Sequence, residues 1–553
     1  MIFLKNILKT FCILLLATGS VQAQLLNHED TFTRQDSLRG GNGAGRNWWN
    51  VLQYDIQLHV DIENKTVSGY NDITYSILSH SKAPLQLDLQ EPMQIEKAED
   101  RDTKSSIRFQ REGNVYWLYI PHGTAGRKTR TIRVYFRGNP VVAKTPPWDG
   151  GWIFTKDAQG RPWVSTATQG IGASTWLPCK DYQADEPDRG ITFTIHVPDS
   201  LAAVSNGRLT SKTAGQNGTT AWKWTVSQPI NTYLITPYIG HYVNFNDTLQ
   251  GEKGKLDIGY WVLDYNQEKA TEHFKVVKPM LRCFEHWMGP YPFYEDSYKL
   301  VDAPHLGMEH QSGVAYGNKY LNGYLGKDRS GTGWGNDWDF IIVHESGHEW
   351  FANNITTKDI ADMWVHEAFT TYTETLFVQC MHGLKAANEY VAGQRKNIQN
   401  DIPVIGPYGI NKEGSSDMYD KGASMIHIIR QLINNDEKFR ELLRGLNRDF
   451  YHQTVTGKQI ESYIIRKTGK PLQKVFDQYL RTTSIPVLTY TRSGGNVRYK
   501  WTNCVPGFNM PVQLAGGQWL SPKEQYQEAP ASILTDGALQ VSSNFYVRVA
   551  EAS

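Results

Sequence analysis

One short segment, His344-Glu345-Ser346-Gly347-His348, constrains the fold more than any other part of the chain. Two histidines four residues apart lie on one face of a helix, so both imidazoles can reach the same metal ion. Apolar residues at 340–343 and 350–352 flank the motif and predict that the helix, within 338–353, is buried. Buried histidine and glutamate side chains need partners, and one metal ion would supply them. The alternative, a solvated helix face that carries two histidines by chance, does not fit apolar flanks.

The third expected ligand is Glu367, and eighteen residues lie between it and His348. Two histidines and one carboxylate, with a fourth position open, are typical of catalytic zinc in hydrolases, so we expect one Zn²⁺ per chain on His344, His348 and Glu367. Glu345 points aside from these ligands, and we expect it to act as the general base. Glu374 lies two turns beyond Glu367 and could accept a hydrogen bond from a ligating histidine.

The first 23 residues have the pattern of a secretory signal. Lys5 and Lys9 precede a short apolar core at 11–17, and Val21-Gln22-Ala23 supplies a small-residue cleavage pattern. We therefore expect cleavage after Ala23 and an exported protein, either periplasmic or secreted. No other apolar run is long enough to span a bilayer, so stable membrane insertion is not expected.

Composition excludes some functions and leaves others open. The 553 residues carry a formal net charge of +1 without a basic block, which gives no support for nucleic-acid binding. Beyond the signal, the four cysteines Cys179, Cys283, Cys380 and Cys504 are widely spaced and show no disulfide framework. Export permits a disulfide, but buried free thiols are the default expectation. The sequence leaves the oligomeric state open.

The pattern along the chain predicts a multidomain α+β fold. Residues 24–47 are polar and Gly-rich and are predicted to be a flexible lead-in. Alternating apolar and polar residues predict an all-β saddle or sandwich at 48–245. Helical spacing dominates 246–484, the predicted α/β catalytic domain, and short strands with Gly and Pro turns predict a small β-sandwich at 485–553.

The zinc-motif spacing resembles that of the gluzincin aminopeptidases, the family of aminopeptidase N and leukotriene hydrolase. The segments at 350–353 and 363–369 are similar to the family's sequences around the ligands, although His366 stands where Asn is usual. The segment 307–310 resembles the last four positions of the exopeptidase signature G-x-M-E-N. Leu306 stands where the first Gly of the signature is expected, and His310 replaces its Asn. The resemblance implies a thermolysin-like catalytic domain in a three-domain bacterial member. The family's large C-terminal helical domain is expected to be absent, which would leave the active site more open.

The resemblance also implies a zinc aminopeptidase that acts on peptides with a free N-terminal amine. Glu309 is the expected partner of the substrate ammonium, and Gln169 would add a hydrogen bond to it. Gly307 would let the substrate backbone approach closely, and Met308 belongs to the same expected binding segment. His310 is either a further substrate contact or a structural replacement for Asn.

Tyr419 lies in a segment, 418–423, that resembles the one carrying the family's catalytic tyrosine. Its phenol is the expected hydrogen-bond donor to the oxyanion of the tetrahedral intermediate. Tyr408 is a weaker rival for this role. Three alternatives to an aminopeptidase remain at this point: a zinc endopeptidase, an epoxide hydrolase and a non-catalytic peptide-binding protein.

Overall fold

A computed structural model describes residues 31–120 and 128–552. The predicted signal sequence, with its cleavage site after Ala23, lies outside the described residues. Within the described part, no helix combines the length and the apolar character needed to cross a membrane.

The described part of the predicted lead-in, residues 31–47, contains a short helix and packs against later parts of the chain. Helix α1 spans Arg34–Gly40. Arg39 donates a hydrogen bond through Nη2 to the carbonyl of Gly170 at 2.7 Å, and Arg46 is fully buried and ion-paired with Asp88. Gly40 lies so close to the backbone of Ile410 that a Cβ would come within 2.3 Å of it.

The N-terminal domain is built from β-strands, as the alternating pattern predicts. In the first strand, Tyr54, Ile56 and Leu58 are fully buried while the residues between them are more exposed. Seven strands form one sheet in the order β12-β13-β10-β1-β2-β7-β4, beside sheets of four and three strands. The strands are β1 (Trp49–Asp61), β2 (Thr66–Ile77), β3 (Leu85–Asp88), β4 (Gln94–Asp100), β5 (Arg108–Glu112), β6 (Val115–Tyr119), β7 (Thr129–Gly138), β8 (Gly151–Lys156), β9 (Pro162–Ala167), β10 (Ile191–Pro198), β11 (Ala202–Val204), β12 (Arg208–Ala214), β13 (Thr219–Val226) and β14 (Tyr238–Gly240).

The middle domain combines a five-stranded sheet with a group of helices. The sheet has the order β15-β16-β17-β19-β18, which leaves β18 at one edge. Its strands and a separate parallel pair are β15 (Tyr242–Gly251), β16 (Gly254–Leu263), β17 (Tyr298–Asp302), β18 (Gly307–Met308), β19 (Val314–Tyr316), β20 (Ile355–Thr357) and β21 (Gln453–Val455). The predicted boundary after residue 245 divides β15, which pairs with β16 from Tyr242 onward, so the boundary lies before Tyr242.

The helices of this domain carry the zinc motif and pack around it. They are α2 (Gln267–His273), α3 (Val277–Met288), α4 (Phe340–Gly347), α5 (Trp364–His382), α6 (Leu384–Gln394), α7 (Asp420–Ile433), α8 (Asp436–Asp449), α9 (Gly457–Thr468) and α10 (Gln473–Arg481). A disulfide joins Cys283 in α3 to Cys380 in α5, which corrects the default of free thiols for this pair. Cys179 and Cys504 are free.

The C-terminal module consists of β22 (Val487–Ser493), β23 (Asn496–Thr502), β24 (Val512–Gln513), β25 (Trp519–Leu520), β26 (Gln527–Pro530) and β27 (Arg548–Glu551). Four of these strands form one small sheet and two form another. Leu488 and Trp501 of this module belong to the hydrophobic core of the middle domain. The core of the N-terminal domain is a separate cluster that extends to Val301 and Ala315 of the middle domain's sheet. The predicted α+β multidomain class is confirmed.

Direct hydrogen bonds join the N-terminal and middle domains beside the zinc motif. Asn206 donates through Nδ2 to the carbonyl of Gln311 at 2.7 Å, and Gln183 donates through Nε2 to the carbonyl of Thr357 at 3.0 Å. These contacts place loops of the β domain against the residues around His344 and Glu367.

Candidate active site

The zinc-motif helix is shorter than the predicted helix 338–353, and its end positions a ligand. Asp339 caps α4 by accepting hydrogen bonds from the backbone N–H groups of Ile341 and Ile342. After His348 the helical conformation breaks, and Ala352 adopts a φ of 131°. The break turns the Phe351 carbonyl towards His348, whose Nδ1 donates to it at 3.0 Å.

His344, His348 and Glu367 converge on one point in the interior. Oε2 of Glu367 lies 3.3 Å from Nε2 of His348 and 3.7 Å from Nε2 of His344. Nδ1 of His344 donates to Oε1 of Glu374 at 2.8 Å. Because both Nδ1 atoms donate to protein acceptors, both Nε2 atoms remain to bind an ion at the same point. Glu374 is therefore placed where the sequence predicts it, beside a ligating histidine.

The charges of this cluster favour a cation. Burial alone would lower the pKa of His344, but the Glu367 and Glu374 carboxylates outweigh it and raise that pKa to about 10. Among the described residues, Oε2 of Glu367 is buried and accepts no hydrogen bond. Two imidazole nitrogens and one orphaned carboxylate oxygen are the donor set that Zn²⁺ prefers. The residues present fit a zinc ion.

Glu345 faces the same cavity, and Gly307 makes room for it. A Cβ on Gly307 would lie 2.6 Å from Oε1 of Glu345 and 2.8 Å from Cγ2 of Ile341. Glycine at position 307 therefore leaves room for the side chain of Glu345. This is a second reason for a glycine here, besides the close approach of the substrate backbone. Burial, partly offset by His344 and His348, raises the pKa of Glu345 to about 7. A general base is most effective when its pKa lies near the working pH, and this value is close to neutral.

Glu309 forms a second polar centre beside the metal ligands. Its Oε1 accepts hydrogen bonds from Nε2 of Gln169 at 2.8 Å and from the hydroxyl of Tyr233 at 3.0 Å. Glu309, Glu345 and His348 place one polar atom each within 4.8 Å of one another. Gln169 and Tyr233 come from the β domain, so both domains build this centre. Tyr233 could not be identified from the sequence, because no local pattern singles it out.

Tyr419 lines the cavity and Tyr408 does not. The ring of Tyr419 stacks on His344 with 6.1 Å between ring centres. Burial, reinforced by Glu367 and other carboxylates, raises the pKa of Tyr419 well above its usual 10, so its phenol keeps the proton that a donor needs. Tyr408 is largely exposed and donates to Asp362 at 2.7 Å. The structure therefore favours Tyr419 over its rival.

Two histidines at atypical family positions have internal roles. His310 is fully buried, and its Nδ1 lies 2.5 Å from the hydroxyl of Tyr238, which donates to the Gly313 carbonyl. His310 is not among the residues that line the cavity, which favours the structural alternative over the substrate contact. His366 accepts through Nε2 from the backbone N–H of Thr357 at 2.8 Å.

The cavity over the metal ligands has a volume of about 820 Å³. Met308 and Gly307 of the edge strand β18 form part of its wall, and Trp148 lines it from the β domain. Arg329 also lines it, although no sequence pattern points to that residue. The space is large enough for a small peptide.

The fold and the donor set define a zinc metallopeptidase built around an H-E-x-x-H helix. Sequence models of the Peptidase M1 N-terminal domain and of the Peptidase family M1 domain match residues 50–234 and 273–479, well over half of the chain together. The chain belongs to peptidase family M1, which confirms the family resemblance.

Curated relatives are distant in sequence. Leukotriene A-4 hydrolase of Xenopus laevis is 22% identical over 447 residues, which cover 75% of this chain and 68% of the relative. Aminopeptidase B of Rattus norvegicus is 24% identical over 401 residues, covering 68% of this chain and 55% of the relative. The chain thus spans between about half and two thirds of the length of such relatives.

Solved structures share the fold. A mutant M1 zinc metallopeptidase from Deinococcus radiodurans, bound to a Tyr-Ser-Ala substrate, matches with a TM-score of 0.66 and 20% identity. The match covers 80% of this chain and 96% of the other. A two-domain M1 zinc metallopeptidase mutant bound to L-tryptophan gives the same TM-score.

Proposed function

We propose that the protein is a zinc aminopeptidase that hydrolyses the N-terminal peptide bond of peptides. One observation carries the proposal: Glu309, held by Gln169 and Tyr233, places a carboxylate immediately beside the metal ligands. A fixed carboxylate at this position pairs with a free α-ammonium and sets the cleavage one residue from the chain end.

Zinc, Glu345 and Tyr419 have different roles in the proposed reaction. When bound, zinc supplies Lewis-acid chemistry and lowers the pKa of water to near 7. Glu345 takes a proton from the attacking water and passes it to the leaving amine. Tyr419 donates a hydrogen bond to the oxyanion of the tetrahedral intermediate, and loss of one such donor typically costs about 10²–10³ in rate.

The test compares a peptide with its N-acetylated twin. We expect cleavage of the free peptide and at least a hundredfold weaker cleavage of the acetylated one, since roughly 3 kcal/mol of ammonium pairing is lost. Equal cleavage would contradict the aminopeptidase assignment and favour an endopeptidase. Glu345→Gln serves as the control, because it should retain zinc by elemental analysis and lose most turnover.

We also propose that the protein is exported. Disulfides persist mainly in oxidising compartments, and the bond between Cys283 and Cys380 supports this location. N-terminal sequencing of the protein recovered outside the cytoplasm should begin at Gln24. Recovery of the whole protein in the cytoplasm with an intact Met1 would contradict it.

A further inference from the structure

Arg329 is a cation on the wall of the active-site cavity with no part in the proposed reaction. Its Nη2 pairs with Oδ2 of Asp420 at 3.1 Å, and its guanidinium carbon lies 5.2 Å from the ring centre of Phe340. The side chain is 27% exposed. Among the described residues, Asp420 is the only hydrogen-bond acceptor of this guanidinium. A guanidinium carries five N–H donors, so most of them remain available to a ligand in the cavity.

Arg329 and Glu309 lie beside different metal ligands. Glu309 is adjacent to His348, within the cluster that spans 4.8 Å. Arg329 stacks over Phe340, whose ring stacks in turn on that of His344 at 5.3 Å. Contacts therefore connect Glu309 to His348, and connect Arg329 through Phe340 to His344.

The segment that begins with the edge strand β18 runs past the same metal ligands. Gly307 faces Ile341 and Glu345, while Glu309, two residues later, faces Glu345 and His348. Leu306, at the start of this segment, also lines the cavity. A peptide with its amine at Glu309 and its backbone along this segment would pass the metal ligands.

The distances match the length of a short peptide. Two steps of about 5 Å, through Phe340, separate the guanidinium from the ring of His344. An extended chain advances about 3.3–3.6 Å per residue, so one to three residues beyond the scissile bond reach the cation. Elsewhere the cavity wall carries the carboxylates of Asp149, Glu309, Glu345, Glu367 and Glu413, together with a second cationic side chain, Lys412.

We propose that Arg329 binds a substrate carboxylate on the leaving side of the scissile bond, and that the preferred substrates are peptides of roughly two to four residues, whose chain-end carboxylate reaches it. This inference rests on the proposed aminopeptidase function. Asp420 occupies one nitrogen of the guanidinium, and the remaining donors are free to form a paired contact with a planar carboxylate.

Three tripeptides with the same first residue test the inference. The first, Ala-Ala-Ala, has a free carboxyl end, the second is its C-terminal amide, and the third is Ala-Glu-Ala amide. We expect kcat/KM for the free acid to exceed that for the amide by about tenfold or more, as for one charge-assisted hydrogen bond. Recovery of the rate with the third peptide would extend the site to side-chain carboxylates.

Two variants separate the cation from its ion pair. Arg329→Gln should reduce the acid-to-amide ratio to near 1, and Arg329→Lys should keep part of it. Asp420→Asn breaks the same ion pair but retains the cation, so its ratio should stay at or above that of the wild type. The comparison uses ratios within each variant, which cancel general losses of activity.

The outcomes that overturn the inference are distinct from failure of the proposed function. Equal rates on all three tripeptides, an unchanged ratio in Arg329→Gln, or collapse of the ratio in both Arg329→Gln and Asp420→Asn would each overturn the carboxylate site. Hydrolysis of an aminoacyl anilide, which has no carboxylate, reports the aminopeptidase itself. If the wild type fails on the anilide and on Ala-Ala-Ala, the proposed function has failed instead.

Discussion

Replacing Tyr233 by Phe removes one hydroxyl from the interior and tests the amine-binding centre. Tyr233 is buried, and its hydroxyl donates to Oε1 of Glu309 at 3.0 Å, the same oxygen that Gln169 reaches at 2.8 Å. A hydrogen bond to a charged group contributes about 1.5–3 kcal/mol. Without it, the carboxylate has one donor fewer to hold its orientation. We expect the affinity for a free α-amine to fall by at least about tenfold, which corresponds to 1.4 kcal/mol.

A pair of inhibitors isolates this effect from everything else in the site. One is an α-amino hydroxamate, and the other is the same hydroxamate without its amine. Both share the metal-binding group, so the ratio of their inhibition constants reports the amine alone. In Tyr233→Phe the ratio should fall by about tenfold, while the inhibition constant of the amine-free compound stays within about twofold.

Tyr238→Phe is the matched control for this measurement. Tyr238 is also a buried tyrosine of the β domain, but its hydroxyl donates to the Gly313 carbonyl at 2.8 Å rather than to Glu309. The inhibitor ratio should therefore remain at the wild-type value. An unchanged ratio in Tyr233→Phe, or an equal decrease in both variants, would refute the assignment of Tyr233 to amine binding.

Three further substitutions probe the support around the site. Gly307→Ala places a Cβ 2.6 Å from Oε1 of Glu345, so kcat should fall roughly 10–100-fold with zinc content unchanged, and a normal kcat would contradict the steric argument. Glu374→Gln weakens the acceptor 2.8 Å from His344, and zinc affinity measured by chelator competition should drop about 10–100-fold. Cys380→Ser opens a disulfide of sequence separation 97, and urea unfolding should show a loss of about 4 kcal/mol, whereas equal stability under reducing and oxidising conditions would argue against the bond.

The sequence predicts those parts of the site that depend on local periodicity. His344 and His348 are one helical turn apart, and Glu367 and Glu374 share one face of α5, so residue spacing alone brings these side chains together. Tyr233 and Glu309 are 76 residues apart and belong to different domains. A contact of that kind is set by domain packing, about which spacing carries no information.

Composition can have more than one physical cause, so it does not determine the backbone conformation of a segment. The Gly-rich lead-in resembles a flexible linker, yet Gly40 is close-packed against Ile410, where any side chain would clash. The apolar residues after His348 continue a helical pattern, but the chain leaves the helix at Phe351 and Ala352. Burial alone explains their apolar character, whether or not the backbone is helical.

The position of β18 at the edge of its sheet bears on the shape that a substrate must have. Gly307 and Met308 pair with β19 on one side only, and both residues also line the cavity. An edge strand presents unpaired backbone groups, which a second extended chain can bond to. A terminus already folded into a helix, or one with N-methylated amides, could not add to such an edge. The need for an extended substrate backbone would then exclude intact folded proteins, whatever side chains they carry.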